Sequence, residues 1–226
     1  MTRTDKERKG SEMATKKAAA TIQETISIPP MNIGTTRITI EGDSILVLNR
    51  FSEKNKKQME EKTQKKAVGP REARNPKDEF LAAMIYMPDK KTPGFPSHCI
   101  KKCIVGASRF TKALPATVLN GALYVIGESG GDMVQIRGSG PHMREDDVRV
   151  GSFGNKKAMI RYRPEFRNWS MTFTVRYNAD MLSLEQLINL VEIAGFSNGL
   201  GEWRAQKGGN SWGAFHVKRD GPISKK

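Results

Sequence analysis

Two groups of residues have the types to support catalysis or metal binding. His98, Cys99 and Cys103 would place soft ligands along one helix, but a zinc site there needs a further ligand from His142 or His216, the other two histidines of the chain. Buried, reduced thiols are the simpler reading, because two cysteines four residues apart on a helix do not favour an intrachain disulfide. The run Arg144-Glu145-Asp146-Asp147 offers carboxylates to a divalent cation, and so a metal-dependent nuclease. Acidic residues beside arginines more often form a solvated or salt-bridged surface. No Gly-x-x-x-x-Gly-Lys-Ser/Thr phosphate loop occurs, so ATP use is not expected. No catalytic residue, metal or cofactor is assigned on this basis.

Binding chemistry is better represented. Arg161, Tyr162, Arg163, Phe166, Arg167 and Trp169 interleave guanidinium groups with aromatic rings, a combination that clamps phosphates and stacks on unpaired bases at about 1–3 kcal/mol per base. Trp169 also fits a core position by its strand phase. The segment from Gly199 to Gly213 carries Trp203, Arg204, Lys207 and Trp212 among glycines that let backbone N–H groups approach phosphates. A plain crossover loop is the alternative there. A third group is the lysine-rich stretch after Arg50, comprising Lys54, Lys56, Lys57, Lys62, Lys65 and Lys66. The expected binding set is therefore Arg50 and these lysines, Arg161, Arg163, Arg167, Trp203, Arg204, Lys207 and Trp212.

The distribution of charge supports a polyanionic partner. The chain of 226 residues has a net charge of +14, and residues 1–20, 50–77 and 218–226 together hold 20 basic against 8 acidic side chains, or +12 of that total. Basic arms and a basic insertion on a nearly neutral body suit a long, flexible polyanion, since each neutralised phosphate releases condensed counterions. Lysine-rich tails that only keep an assembly protein soluble are the alternative. No apolar run approaches the roughly 18 residues of a membrane span, and residues 1–20 are too polar for a secretory signal, so a cytoplasmic protein is expected.

The elements that must position these groups follow from periodicity. Residues 1–20 read as a disordered basic arm, residues 21–217 as a single domain with a basic insertion at 52–75, and residues 218–226 as a basic tail. Arg37 to Leu48 holds two β-type runs broken at Gly42-Asp43. Phe51-Ser52 opens a helix over 53–66 with Met59 almost its only apolar residue, so it cannot pack on a core. Asn75-Pro76 starts an amphipathic helix bearing Phe80, Ala83, Met84 and Met87, and Ser97 caps a second with Ile100, Cys103, Ile104 and Ala107 on its buried stripe. Ala122–Ile126 and Met133–Arg137 read as a hairpin about Gly130-Gly131, followed by a polar loop from Pro141 to Asn155. Trp169, Met171, Phe173, Val175 and Tyr177 alternate with polar residues as a half-buried strand. Ser183 and Gln186 form a capping box for a helix ending at Gly195, and Ala214–Val217 is a short last strand. The order predicts an α+β fold, a ferredoxin-like or RRM-like sheet with helices on one face, plus a basic helical insertion and disordered basic termini.

The stretches Met143 to Gly151, Arg161 to Phe166 and Gly199 to Gly209, with Asn49-Arg50-Phe51-Ser52, resemble a family of uncharacterised phage and prophage proteins over most of residues 35–217. More distantly, a ferredoxin-like order with a glycine-rich loop before the last strand is similar to the RAMP superfamily, which includes the backbone subunits of CRISPR effector complexes; that resemblance implies polymerisation along RNA. The long polar insertion at 52–75 departs from that pattern. Together these readings lead to a phage-type, non-catalytic protein that coats or anneals single-stranded DNA or RNA, as a homo-oligomer or filament. A virion component or an inhibitor of a host defence complex, meeting an acidic protein partner, is the rival; a metal-dependent nuclease comes third.

Overall fold

The computed structural model describes residues 28–51, 53–64, 74–111, 114–127, 130–150, 157–207 and 210–219, apart from the side chains at 53–55, 62 and 150. Residues 32–226 form one unit and residues 1–31 another, of which 28–31 are exposed and irregular. The first-arm and last-tail expectations fall almost wholly outside the described residues.

One strand organises the fold. β7 (Lys157–Asn178) is 22 residues long, and in its second half Trp169, Met171, Phe173 and Val175 are buried as their alternation requires. β1 (Ile33–Gly42) runs antiparallel along one edge, placing Ile38 opposite Phe173 and Ile40 opposite Met171. On the other edge β4 (Leu123–Gly127) sets Val125 against Val175, and β8 (Phe215–Val217) closes the far side of β1. The trunk order is thus β8-β1-β7-β4. Two helices, α3 (Ser97–Gly106) and α6 (Leu184–Ser197), contribute Ile100, Cys103, Ile104, Leu187, Leu190, Val191 and Ala194 to the same core as the sheet's apolar face. Strand, helix, two strands, helix, strand, in the spatial order fourth-first-third-second, is the ferredoxin-like arrangement that the periodicity predicts. The other face of the trunk is polar: Thr39 Oγ1 and Thr172 Oγ1 lie 3.0 Å apart across the β1–β7 pair.

The first half of β7 leaves the trunk. There it pairs with β6 (Arg137–Val150) as a long antiparallel ribbon, while β2 (Leu46–Val47) meets it at Phe166 and Glu165. The expected polar loop from Pro141 is therefore a strand as far as Val150, and residues 151–156 lie outside the described residues. β6 carries charged residues on both faces, Arg144 and Asp146 on one and Glu145 and Asp147 on the other, so its strand character leaves no hydrophobic alternation to read. The two runs at 37–48 are separate strands, each paired to β7 rather than to one another.

The expected hairpin at 122–137 does not form. Gly127 N does donate to Gly131 O at 2.8 Å, but β4 goes to β7 whereas β5 (Met133–Gln135) pairs with β3 (Gly94–Pro96) in a small second sheet. Helix α1 (Glu53–Thr63) is short of the expected end at 66; Lys65 and Lys66 lie outside the described residues. In α2 (Pro76–Ala83) the Asn75 side chain accepts from Lys77 N, as an N-cap with proline at N1 should, but the helix stops before Met84 because the Ala83 carbonyl turns to accept from Arg50 N. Ser97 begins α3 as its first residue, with Pro96 at the cap position and no side-chain cap. Short helices α4 (Ser108–Thr111) and α5 (Ala116–Ala122) follow before β4. The Ser183–Gln186 capping box is present in α6, yet Gly195 is not its terminator. The helix continues to Ser197, and Gly195 serves close packing, since a Cβ there would lie 1.9 Å from Phe215 O. Among the described residues no helix is long and apolar enough to cross a membrane.

Candidate functional site

The ribbon register decides which charged residues share a face. Arg144 lies opposite Arg163, and Asp146 opposite Arg161, so antiparallel pairing gathers Arg144, Asp146, Arg161, Arg163 and Glu165 on one side. Glu145 and Asp147, which alternate with Asp146, point to the other side. The three carboxylates thus do not converge on a common point, and Asp146 is already held by Arg144 Nε at 2.7 Å. Among the described residues there is no cluster of three or more metal-ligating side chains.

The segment 199–213 packs against this face and is held by its backbone. Leu200 N donates to Gly213 O at 2.9 Å, Gly213 N to Ile45 O at 2.8 Å, and Glu202 N to Val47 O at 2.8 Å. Gly213 has φ +68, and a Cβ on it would lie 1.8 Å from Leu200 O, so its glycine is needed for the chain's own close approach. Gly201 likewise serves packing, since a Cβ on it would lie 2.4 Å from Val47 O. The segment brings Trp203 and Trp212 edge to face, with centroids 5.4 Å apart, and the Arg144 guanidinium lies 4.1 Å over the Trp212 ring.

Two carboxylates organise the arginines. Glu165, only 3% exposed, accepts from Arg144 Nη1 at 3.1 Å and from Arg167 Nε at 2.8 Å. Burial alone would raise its pKa, but the two guanidiniums outweigh burial and hold it below the ordinary carboxylate value. Glu202 uses both oxygens: Oε2 accepts from Arg163 Nε at 2.8 Å and Oε1 from Asn49 Nδ2 at 2.8 Å. Arg163 is correspondingly buried, and its second contact is to Tyr162 O.

Arg161 stands differently. It is half-buried, and burial, then Arg163 and Arg74, press its pKa below the ordinary guanidinium value, with Glu79 and Glu202 opposing. It makes no hydrogen bond or salt bridge to a described residue. Arg74 instead pairs with Glu79 and donates from Nη2 to Ile160 O at 2.6 Å. Beside Arg161 opens a cleft of about 420 Å³ between the ribbon and the 199–213 segment, lined by Arg50, Phe51, Arg161, Arg163, Glu202 and Trp203 among others. Three guanidiniums face one carboxylate there.

The expected binding residues therefore divide. Arg50, Arg161, Arg163 and Trp203 line one cleft, with Trp212 touching Trp203. Arg167 is turned to Glu165, and Arg204 donates to Gly201 O at 2.9 Å in a second, smaller cavity beside Cys99 and Cys103. Lys207, Lys56 and Lys57 are exposed. The side chains of Lys54 and Lys62 lie outside the described residues. The Cys103 thiol donates to Gly199 O at 3.3 Å, and burial pushes its pKa up to about 12. Sequence reasoning missed Glu165, Glu202 and the stacking role of Arg144. All three depend on a register that only the fold supplies.

Neither a protein-family model nor a curated protein matches the chain. A chain in the cryo-EM structure of Type III-B Cmr-beta bound to cognate target RNA is similar, with a TM-score of 0.51 and 11% identity over 96% of this chain. The likeness is one of fold. This chain spans 66% of that chain's length. The crystal structure of Cmr6 from Pyrococcus furiosus is matched with a TM-score of 0.40 and 9% identity, over 84% of this chain and 100% of that one.

Proposed function

We propose that the chain binds single-stranded nucleic acid without catalysis, holding its sugar-phosphate backbone in the cleft between the ribbon and the 199–213 segment. The observation that carries this reading is Arg161: a half-buried guanidinium, crowded by other cations and offered no ion pair by the described residues, at the mouth of a cleft whose lining has three arginines and one carboxylate. A phosphate supplies the anion that such a site lacks. The net charge of +14 adds long-range attraction for the same class of partner. The fold neighbour comes from a structure bound to target RNA, which favours RNA within this class. Coating or annealing of a strand by several copies, in a phage setting, is the finer form of the proposal. Phe196 at 85% exposure and Phe110 at 53% offer apolar surface for contacts between copies.

The test is fluorescence anisotropy with labelled single-stranded RNA, single-stranded DNA and duplex DNA, each titrated at low and moderate salt. Binding of a single strand that weakens steeply with salt is expected. Absence of binding to all three would overturn the proposal and favour a protein partner.

A further inference from the structure

The face of the trunk opposite the buried stripe of α3 and α6 carries a second arrangement suited to nucleic acid, remote from the cleft. Register across three strands puts Thr35, Arg176 and Tyr124 in one row, and Arg37, Thr174 and Ile126 in the next. Tyr124 is 60% exposed, on the opposite face of β4 from the buried Leu123. The Lys101 ammonium lies 4.7 Å from its ring centroid, and the exposed Arg176 stands beside it on the adjacent strand. Arg137, opposite Ser170, extends the cations along the same face toward the ribbon.

Among the described residues the carboxylates beside this face are already engaged: Asp43 Oδ1 lies 2.7 Å from His216 Nδ1. The one carboxylate that the described strands place on it, Glu41, is bound by Lys218 Nζ at 2.7 Å and lies 3.8 Å from His216 Nε2. An exposed aromatic ring flanked by cations matches a strand with unpaired bases: the ring stacks on a base while ammonium and guanidinium groups meet the adjoining phosphates. A duplex offers no base face to such a ring, and an acidic peptide would leave it unused. Arg176 and Arg161 are 15 residues apart on β7, up to about 50 Å if the strand ran straight, so one short contact does not cover both places.

We propose that Tyr124, with Lys101 and Arg176, forms a base-stacking site for single-stranded nucleic acid at the β4 edge of that sheet face, separate from the cleft. The proposal rests on the chain's binding nucleic acid at all, and its test separates the two. A thymidine 30-mer, its uridine counterpart and an abasic 30-mer of equal charge are titrated with the wild-type chain, Tyr124→Ala, Tyr124→Phe and Arg161→Glu. Tyr124→Ala is expected to weaken binding of the base-bearing strands by about fivefold or more while leaving the abasic strand within about twofold, and Tyr124→Phe to restore the loss. Unchanged discrimination between base-bearing and abasic strands in Tyr124→Ala would overturn the stacking site, even with Arg161→Glu losing all three strands and the cleft reading intact. Failure of the wild-type chain to bind any strand would overturn both.

Discussion

Replacing Glu165 by glutamine asks whether one buried carboxylate holds the ribbon against the 199–213 segment. Glu165 is 3% exposed and accepts from Arg144 and Arg167, and Arg144 in turn covers Trp212. Glutamine keeps the shape, but removes the charge and turns one acceptor into a donor facing guanidinium donors. A hydrogen bond to a charged group contributes about 1.5–3 kcal/mol. Arg167 is 63% exposed, so solvent recovers much of its share. The expected loss is about 2–4 kcal/mol, toward the lower end of what stripping a buried pair costs. For a folded unit of this size that corresponds to a fall of roughly 5–15 °C in Tm, read by thermal melting at neutral pH. The pH dependence has a definite sign. Because the folded-state pKa of Glu165 lies below the unfolded value, its contribution is complete above the unfolded carboxylate pKa and is lost as pH falls through the folded pKa. Wild-type and Glu165→Gln melting temperatures should therefore converge on acidification below the ordinary carboxylate range. A Tm within about 2 °C of wild type at neutral pH, or a gap that widens in acid, would refute the reasoning.

Three further outcomes follow from the same geometry. Gly195→Ala forces α6 away from β8, because the new Cβ would meet Phe215 O at 1.9 Å; a loss of about 1–3 kcal/mol in urea unfolding is expected, and an unchanged midpoint would show that the two do not approach so closely. In the native protein at mildly alkaline pH, iodoacetamide should label Cys99 well before Cys103, whose buried thiol has its pKa pushed up to about 12; mass spectrometry showing equal rates would contradict that burial. Glu202→Gln leaves Arg163 without its carboxylate and should raise single-strand affinity at low salt, steepening the salt dependence by up to about 0.7 in log–log slope, at some cost in Tm; weaker binding with a shallower slope would place the strand elsewhere.

The sequence exposes those parts of the fold that bury one face. Trp169 to Tyr177 reads as a strand because a sheet covered by helices on one side enforces a period of two, and Ser183 with Gln186 marks a helix start by local hydrogen bonding alone. The ribbon strand at 137–150 is illegible for the converse reason: Arg144-Glu145-Asp146-Asp147 puts charged residues on both faces and pairs with β7, so no apolar alternation announces it. Gly130-Gly131 resembles a hairpin turn, and a tight turn is there, but strand partners are chosen by tertiary packing, which sends β5 to β3. For the site, basic and aromatic residue types in 161–167 and 199–213 are enough to bring Arg161, Arg163 and Trp203 into view. Their division into paired and unpaired cations is not, because Glu202 is 39 residues from Arg163 in the chain. Reversing Arg163 would therefore set two carboxylates face to face in a buried place and disturb the fold, which makes Arg161 the sounder probe.

The most direct test is the salt dependence of single-strand binding by wild type, Arg161→Ala and Arg161→Glu, with melting temperatures measured alongside. The account predicts that Arg161→Ala lowers the log–log slope by about 0.7, the share of one phosphate contact on a single strand, without a fall in Tm, and that Arg161→Glu weakens binding further. Identical affinities and slopes for all three proteins would contradict a phosphate at Arg161 and with it the cleft as the place where the strand is held.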